Sequence, residues 1–157
     1  MEDIPKQGSQ TYQFRHAGKP LPGALERIKA ELRAHGAVAY NLWLPETHYL
    51  PRIIHNDEHI MGTVYGRYKG GRGALIATDQ RVLFLDKKPG WMRCDELTFA
   101  VIGGVTRTRI GPIGTVVLHT RLGDYPVRTF NQKNAENFVD YIETRCLQEN
   151  SSNWGLL

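Results

Sequence analysis

The chain has 157 residues, 41% of them hydrophobic and 23% charged, which is the composition of one globular domain with room for an extension and excludes a disordered segment. Its net charge of +4 falls short of a dedicated nucleic-acid binder, so nucleic acid is the weakest partner class. Cys94 and Cys146 are too far apart for a paired-thiol zinc pattern or a disulfide framework, no apolar run approaches the roughly 20 residues that span a bilayer, and residues 1–10 lack an apolar signal segment; the expectation is a cytoplasmic protein.

Residues 1–21 are polar and carry Gly8, Gly18 and Pro20, which predicts a flexible tail. Pro22 opens a periodic segment in which Leu25, Ile28 and Leu32 share one helical stripe, and Gly36 closes it. After Leu44 comes PETHYLPRII, which Pro51 limits to a turn or two of helix. Helices this short need a surface to dock on. Residues 22–56 therefore read as a helical N-terminal extension of a larger domain.

From Asp57 the period changes to two. Ile60, Gly62, Val64, Gly66 and Tyr68 alternate with Met61, Thr63, Tyr65 and Arg67, predicting a strand with one buried face. Gly70-Gly71 breaks it. Two apolar strands come next, 74–78 and 81–86, joined by a tight turn at Asp79-Gln80. Their continuous apolar runs imply burial on both faces or at a sheet junction. Further strands are predicted at 96–100 and in VTRTRI, TVVLHTR and YPVRTF, each set off by glycine-rich turns. The last segment returns to helix, with Ala135, Phe138, Ile142 and Cys146 on one face and Asn134 as its N-cap. Residues 149–157 read as a polar tail.

Seven short strands and then one amphipathic helix is a specific order. A sheet bent into two halves leaves an open corner, and one helix can plug it. That is the plan of the pleckstrin-homology (PH) superfold. The residues resemble it too. Thr78-Asp79-Gln80-Arg81-Val82-Leu83-Phe84-Leu85, with Lys87-Lys88 just after it, resembles the T-D-x-R run of bacterial PH domains. Glu58-His59-Ile60 and Val64-Tyr65-Gly66 look like the first strand, and Phe130-Asn131 with the 135–146 helix looks like the closing element. The resemblance covers 57–148, and the 22–56 piece is similar to the extension of YokE-like members. It implies a mainly β (α+β) fold: a seven-stranded antiparallel PH-like barrel or sandwich closed by a C-terminal helix, with short N-terminal helices. It also implies a binding module, without choosing among lipid, peptide and subunit ligands.

Between residues 67 and 93 the bases Arg67, Lys69, Arg72, Arg81, Lys87, Lys88 and Arg93 face only Asp79 and Asp86, a surplus larger than that of the whole chain. The resemblance puts the first hairpin and the Lys87-Lys88 loop at one open end, where phosphate-binding members hold their ligand. Arg67, Lys69, Arg72, Lys87, Lys88 and Arg93 are thus the candidate anion- or lipid-binding residues, for a protein peripheral to the inner face of the membrane. Against this, the strand GALIAT carries no base, where phosphoinositide-binding members usually place them.

Trp43, with Leu42 and Leu44, forms an apolar patch that suits an interface with a protein partner or a second copy. His55-Asn56-Asp57-Glu58-His59 spells the letters of an inverted zinc-peptidase motif, but the chemistry needs both histidines on one helix face and here a strand begins. His119 sits in a strand with no Ser or Asp partner suggested by spacing, and the two cysteines read as small apolar residues. No metal, cofactor or catalytic constellation emerges. The expected function is protein–protein interaction or self-assembly, then attachment to anionic membranes, then nucleic-acid binding.

Overall fold

The two-residue period becomes seven antiparallel strands in a computed structural model of the chain, which describes residues 19–154. They are β1 (Ile60–Tyr68), β2 (Gly71–Thr78), β3 (Val82–Lys88), β4 (Trp91–Leu97), β5 (Ile102–Ile110), β6 (Ile113–Thr120) and β7 (Gly123–Thr129), in the order β4-β3-β2-β1-β7-β6-β5. β1 meets β7 through one registered pair, Arg67 opposite Arg128. The sheet bends there into two halves, β1–β4 and β5–β7. Helix α4 (Gln132–Trp154) packs against β1 and β5 and buries Ala135, Phe138 and Ile142 between the halves. This is the PH-like barrel.

The apolar runs of β2 and β3 are buried on both faces, as their continuity implies. Leu75, Ala77, Val82 and Phe84 point into the barrel with Val64, Val116, Val127 and Phe138. Ala74, Ile76, Leu83 and Leu85 point outward and form a second core with Ile28, Leu32, Leu42, Leu50 and Ile54. That core is closed by α1 (Ala24–Ala34), α2 (Ala39–Leu42), α3 (Pro45–Tyr49) and a 3₁₀ turn at Leu50–Arg52. The short helices find their docking surface on the outer face of β1–β4.

One buried ion pair joins the barrel to this cover. Glu58 is fully buried. It accepts hydrogen bonds from Arg81 Nε and Nη2, both at 2.9 Å, from the Thr78 hydroxyl at 2.6 Å and from the His55 amide at 3.0 Å. Arg81 also donates to the Ile53 carbonyl and pairs with Glu96. The Thr78 hydroxyl accepts from the Gln80 and Arg81 amides, so the T-D-Q-R run is a turn whose hydroxyl and guanidinium converge on one carboxylate. On the other side Arg27 of α1 caps the His55 and Glu58 carbonyls, and Glu31 of α1 accepts the Ile60 amide.

Several boundaries differ from the sequence expectation. The predicted strand at 96–100 is a 3₁₀ turn from Phe99, and β4 begins earlier, at Trp91. Helix α4 is capped by Asn131, whose Oδ1 accepts the Asn134 amide, so Asn134 lies inside the first turn. The same helix runs on past Cys146 to Trp154, with an Arg145–Glu149 pair one turn apart on it. Gly23, at φ 82°, places Pro22 in the turn before α1. The tail expected at 1–21 lies outside the described residues up to residue 18, as do residues 155–157. No helix among the described residues is long and apolar enough to cross a membrane.

Replacing Glu58 by Ala strands the buried Arg81 guanidinium, and urea denaturation should show a loss of about 3–5 kcal/mol. The loss should also depend on pH. Burial pushes the Glu58 carboxyl up, but the bonds from Arg81, Thr78 and the His55 amide outweigh it and hold the group below its ordinary value. Its contribution is therefore present above the unfolded-chain pKa of about 4.3 and disappears as pH falls through the lower folded value. The gap between wild type and Glu58→Ala should narrow over that acidic window.

Candidate functional site

Strand alternation sorts the predicted basic cluster onto two faces. On the inner face, β3 carries Phe84, Asp86 and Lys88, and β4 carries Arg93 and Asp95. Lys88 pairs with Asp86 and donates to the Tyr68 carbonyl. The Arg93 guanidinium lies 3.9 Å from Asp86 and 3.4 Å from Asp95. Tyr125 donates to Asp95 at 3.1 Å. Both aspartates are buried, and burial pushes the Asp95 carboxyl up despite Arg93 and Tyr125. Lys88 and Arg93 therefore neutralise carboxylates inside the barrel mouth. An anion placed there would meet two buried acids.

The outer face is different. Lys87 of β3 stands opposite Arg72 of β2, Arg72 opposite Arg67 of β1, and Arg67 opposite Arg128 of β7. Opposed residues in antiparallel strands project to the same side, so four bases form a row across four strands. At about 4.8 Å per strand the row spans roughly 14 Å. Arg72 is neutralised by Glu46 of α3 through two hydrogen bonds of 3.2 Å, and Lys87 Nζ donates to the Lys88 carbonyl. Arg67 and Arg128 are exposed and make no ion pair or hydrogen bond with the described residues. Arg72 also overturns the expectation of a base-free second strand, because β2 begins at Gly71 rather than Gly73. Lys69 sits apart in the β1–β2 turn, at φ 42° with its ammonium over the Tyr68 ring.

The three arginines line a groove of about 1000 Å³ beside the helical cover. Its floor is the outer face of β1, β2 and β7, including Tyr65. Burial raises the Tyr65 hydroxyl pKa, and a 2.7 Å hydrogen bond to Thr47 holds the ring against the cover. Val38 and Tyr40 form one wall, and Phe130 and Ile113 the other. Tyr40 and Phe130 are 66% and 74% exposed. The two walls are tied at their base, where Asn131 Nδ2 donates to the Gly36 carbonyl at 3.0 Å. Gly36 is held at φ 91°, and a Cβ there would come within 2.0 Å of Asn134 Oδ1. Two buried amide oxygens of groove residues, Gln132 Oε1 and Asn134 Oδ1, accept no hydrogen bond.

The predicted Trp43 patch comes apart. Leu42 and Leu44 point into the second core and are 2% and 7% exposed, because α2 turns its apolar side onto the sheet. Trp43 alone faces outward, at 73% exposure, with Lys29 over its ring and His48 beside it. The zinc-peptidase letters lie on no helix: His59 contacts Glu31 at 2.7 Å, and Glu58 is held by Arg81. Cys94 is buried, and desolvation pushes its thiol up to about 12, which keeps it unreactive. His119 does have partners: Nδ1 lies 2.9 Å from Asp124 Oδ1, and Nε2 lies 3.0 Å from Thr106 Oγ1. Cross-strand register brings them together, with Asp124 opposite His119 across β6 and β7. The three lie on the exposed outer face of β5–β7, and none of them lines the groove.

A half-barrel pair of sheets closed by a C-terminal helix defines a PH-like binding domain. The family model described as a bacterial PH domain matches residues 54–144, more than half of the chain. The chain belongs to that family. No curated protein matches it. The match begins within the segment that carries Ile54 and Glu58 and leaves out α1–α3, on which the YokE-like resemblance rested.

Replacing Asp95 by Asn should raise the melting temperature at pH 7. The folded pKa of Asp95 lies above its unfolded value, so the group favours folding when protonated and loses that contribution as pH rises through the folded value. The gain should vanish in thermal melts below about pH 4, where the wild-type carboxyl is itself protonated.

Proposed function

We propose that the chain is a non-catalytic module that binds another protein, and that the groove between the helical cover and the β1–β7 seam receives an extended segment of that partner. The observation that carries this reading is that two exposed aromatic residues, Tyr40 from the cover and Phe130 from the barrel, line the same groove. Monomeric domains seldom leave such apolar groups around a cavity without a ligand for it. Aromatic residues anchor protein interfaces because they bury a large area at low entropic cost.

Membrane attachment has less support. Arg72, Lys88 and Arg93, half of the candidate lipid-binding set, hold carboxylates within the molecule, and Arg67 lies in a concave site rather than on a loop tip. Catalysis has less support as well. The Thr106–His119–Asp124 chain has the order of a relay, but Asp124 is 60% exposed and the site offers no enclosure in which such a relay gains strength.

The reading is tested with a displayed library of linear dodecapeptides selected on the immobilised protein. Selected peptides, measured by fluorescence anisotropy, should lose at least tenfold in affinity when Tyr40 and Phe130 are both replaced by Ser. Undiminished binding to that variant, or failure to select any peptide, would overturn the groove as the site. Light scattering on the same protein reports the second-copy case: a mass above 17.8 kDa that falls to the monomer in Trp43→Asp would assign the interface to Trp43 instead. Anionic vesicles should sediment little of the protein at physiological salt.

A further inference from the structure

Three of the four bases in the outer row belong to the groove, and its one acid, Glu46, is already committed to Arg72. Arg67 and Arg128 remain. They stand directly opposite each other at the only registered pair that joins the two half-sheets. Like charges opposed across strands repel and destabilise the pairing. Nothing among the described residues relieves this pair. The less exposed bases differ: Lys88, Arg93 and Arg81 each have a carboxylate partner. The opposed pair on the floor of the groove has no such partner among the described residues.

We infer that the partner segment is acidic: an extended peptide whose carboxylates are shared between Arg67 and Arg128, with apolar side chains against Tyr40 and Phe130. This rests on the groove as the binding site and adds the chemistry of the ligand. Arginine forks suit carboxylates because each presents paired donors in a plane. An extended chain turns every second side chain to the same side, about 6.6 Å apart. Two alternate acidic residues can therefore each meet one of two bases about 4.8 Å apart, the mismatch of about 1.8 Å being within the reach of flexible arginine side chains. A bilayer surface is flat and could not seat against both walls and the floor together.

The experiment uses three acetylated, amidated nonapeptides with phenylalanine at both ends and three alternating positions occupied by glutamate, glutamine or lysine. Fluorescence anisotropy is read against the full-length protein over a salt series. The glutamate peptide should bind at least tenfold tighter than the glutamine peptide, and the advantage should shrink with salt. In Arg67→Glu/Arg128→Glu the preference should reverse to the lysine peptide. Neither arginine has a partner among the described residues, so the variant should keep its melting temperature. If it does not, Arg67→Gln/Arg128→Gln should simply abolish the preference. Equal binding of all three peptides would overturn the acidic ligand and leave the groove reading standing. Binding of none would overturn both. Sedimentation with phosphatidylglycerol vesicles that the double reversal abolishes, with no peptide bound, would assign the arginines to a membrane and overturn the inference.

Discussion

The contact between Glu58 and Arg81 holds the molecule's two layers in one arrangement. A fully buried carboxylate is tolerable only when its lone pairs are filled and its charge is met. Glu58 satisfies this with four donated hydrogen bonds drawn from the segment before β1 and from the β2–β3 turn. Arg81 then reaches back to the Ile53 carbonyl, at the end of the helical cover. The position of β1 against the β2–β3 hairpin and the path of the chain leaving the cover are therefore set by one cluster. Packing alone would leave both free to slide.

The cover has a second consequence. In a free-standing barrel the outer face of β1–β4 would be polar. Here Ile76, Leu83 and Leu85 make it apolar, and the short helices seal it. The seal stops short of the β1–β7 seam, and the uncovered remainder is the groove. Its floor is continuous with the second core at Tyr65, and one wall belongs to the cover and the other to the barrel. The groove thus belongs to neither layer alone, and a change in how α2 and α3 sit would alter its width without touching the barrel.

Much of the fold was legible because alternation and punctuation are local signals. The apolar runs in β2 and β3 announced burial on both faces, and the T-D-Q-R turn announced itself by its residues. The closing helix was visible in its stripe, though its cap was misplaced by three residues because Asn131 and Asn134 are both good capping residues. The site was legible only in part. Arg67, Arg72 and Lys87 were found as charge, but so were Lys88 and Arg93, because composition does not tell which face of a strand a base occupies when two strands meet in unknown register. Arg128 was missed for the same reason: it is more than thirty residues from the cluster in sequence and one strand away in space. Leu42 and Leu44 were misread because a helix of four residues is too short for periodicity to reveal its buried side. The partners of His119 come from cross-strand register, which spacing does not encode.

The seam between β1 and β7 is the thinnest join in the barrel, one registered pair where neighbouring strands have six to eight. Local opening should therefore begin there, at a free energy below that of global unfolding. A molecule gripping Arg67 on one side and Arg128 on the other spans this join, and by linkage it must resist whatever opens it. Occupancy would then be felt throughout the barrel as slowed exchange of the β1 and β7 amide hydrogens. The ligand would act as a rivet as well as a passenger, and the free domain would be the looser of the two forms.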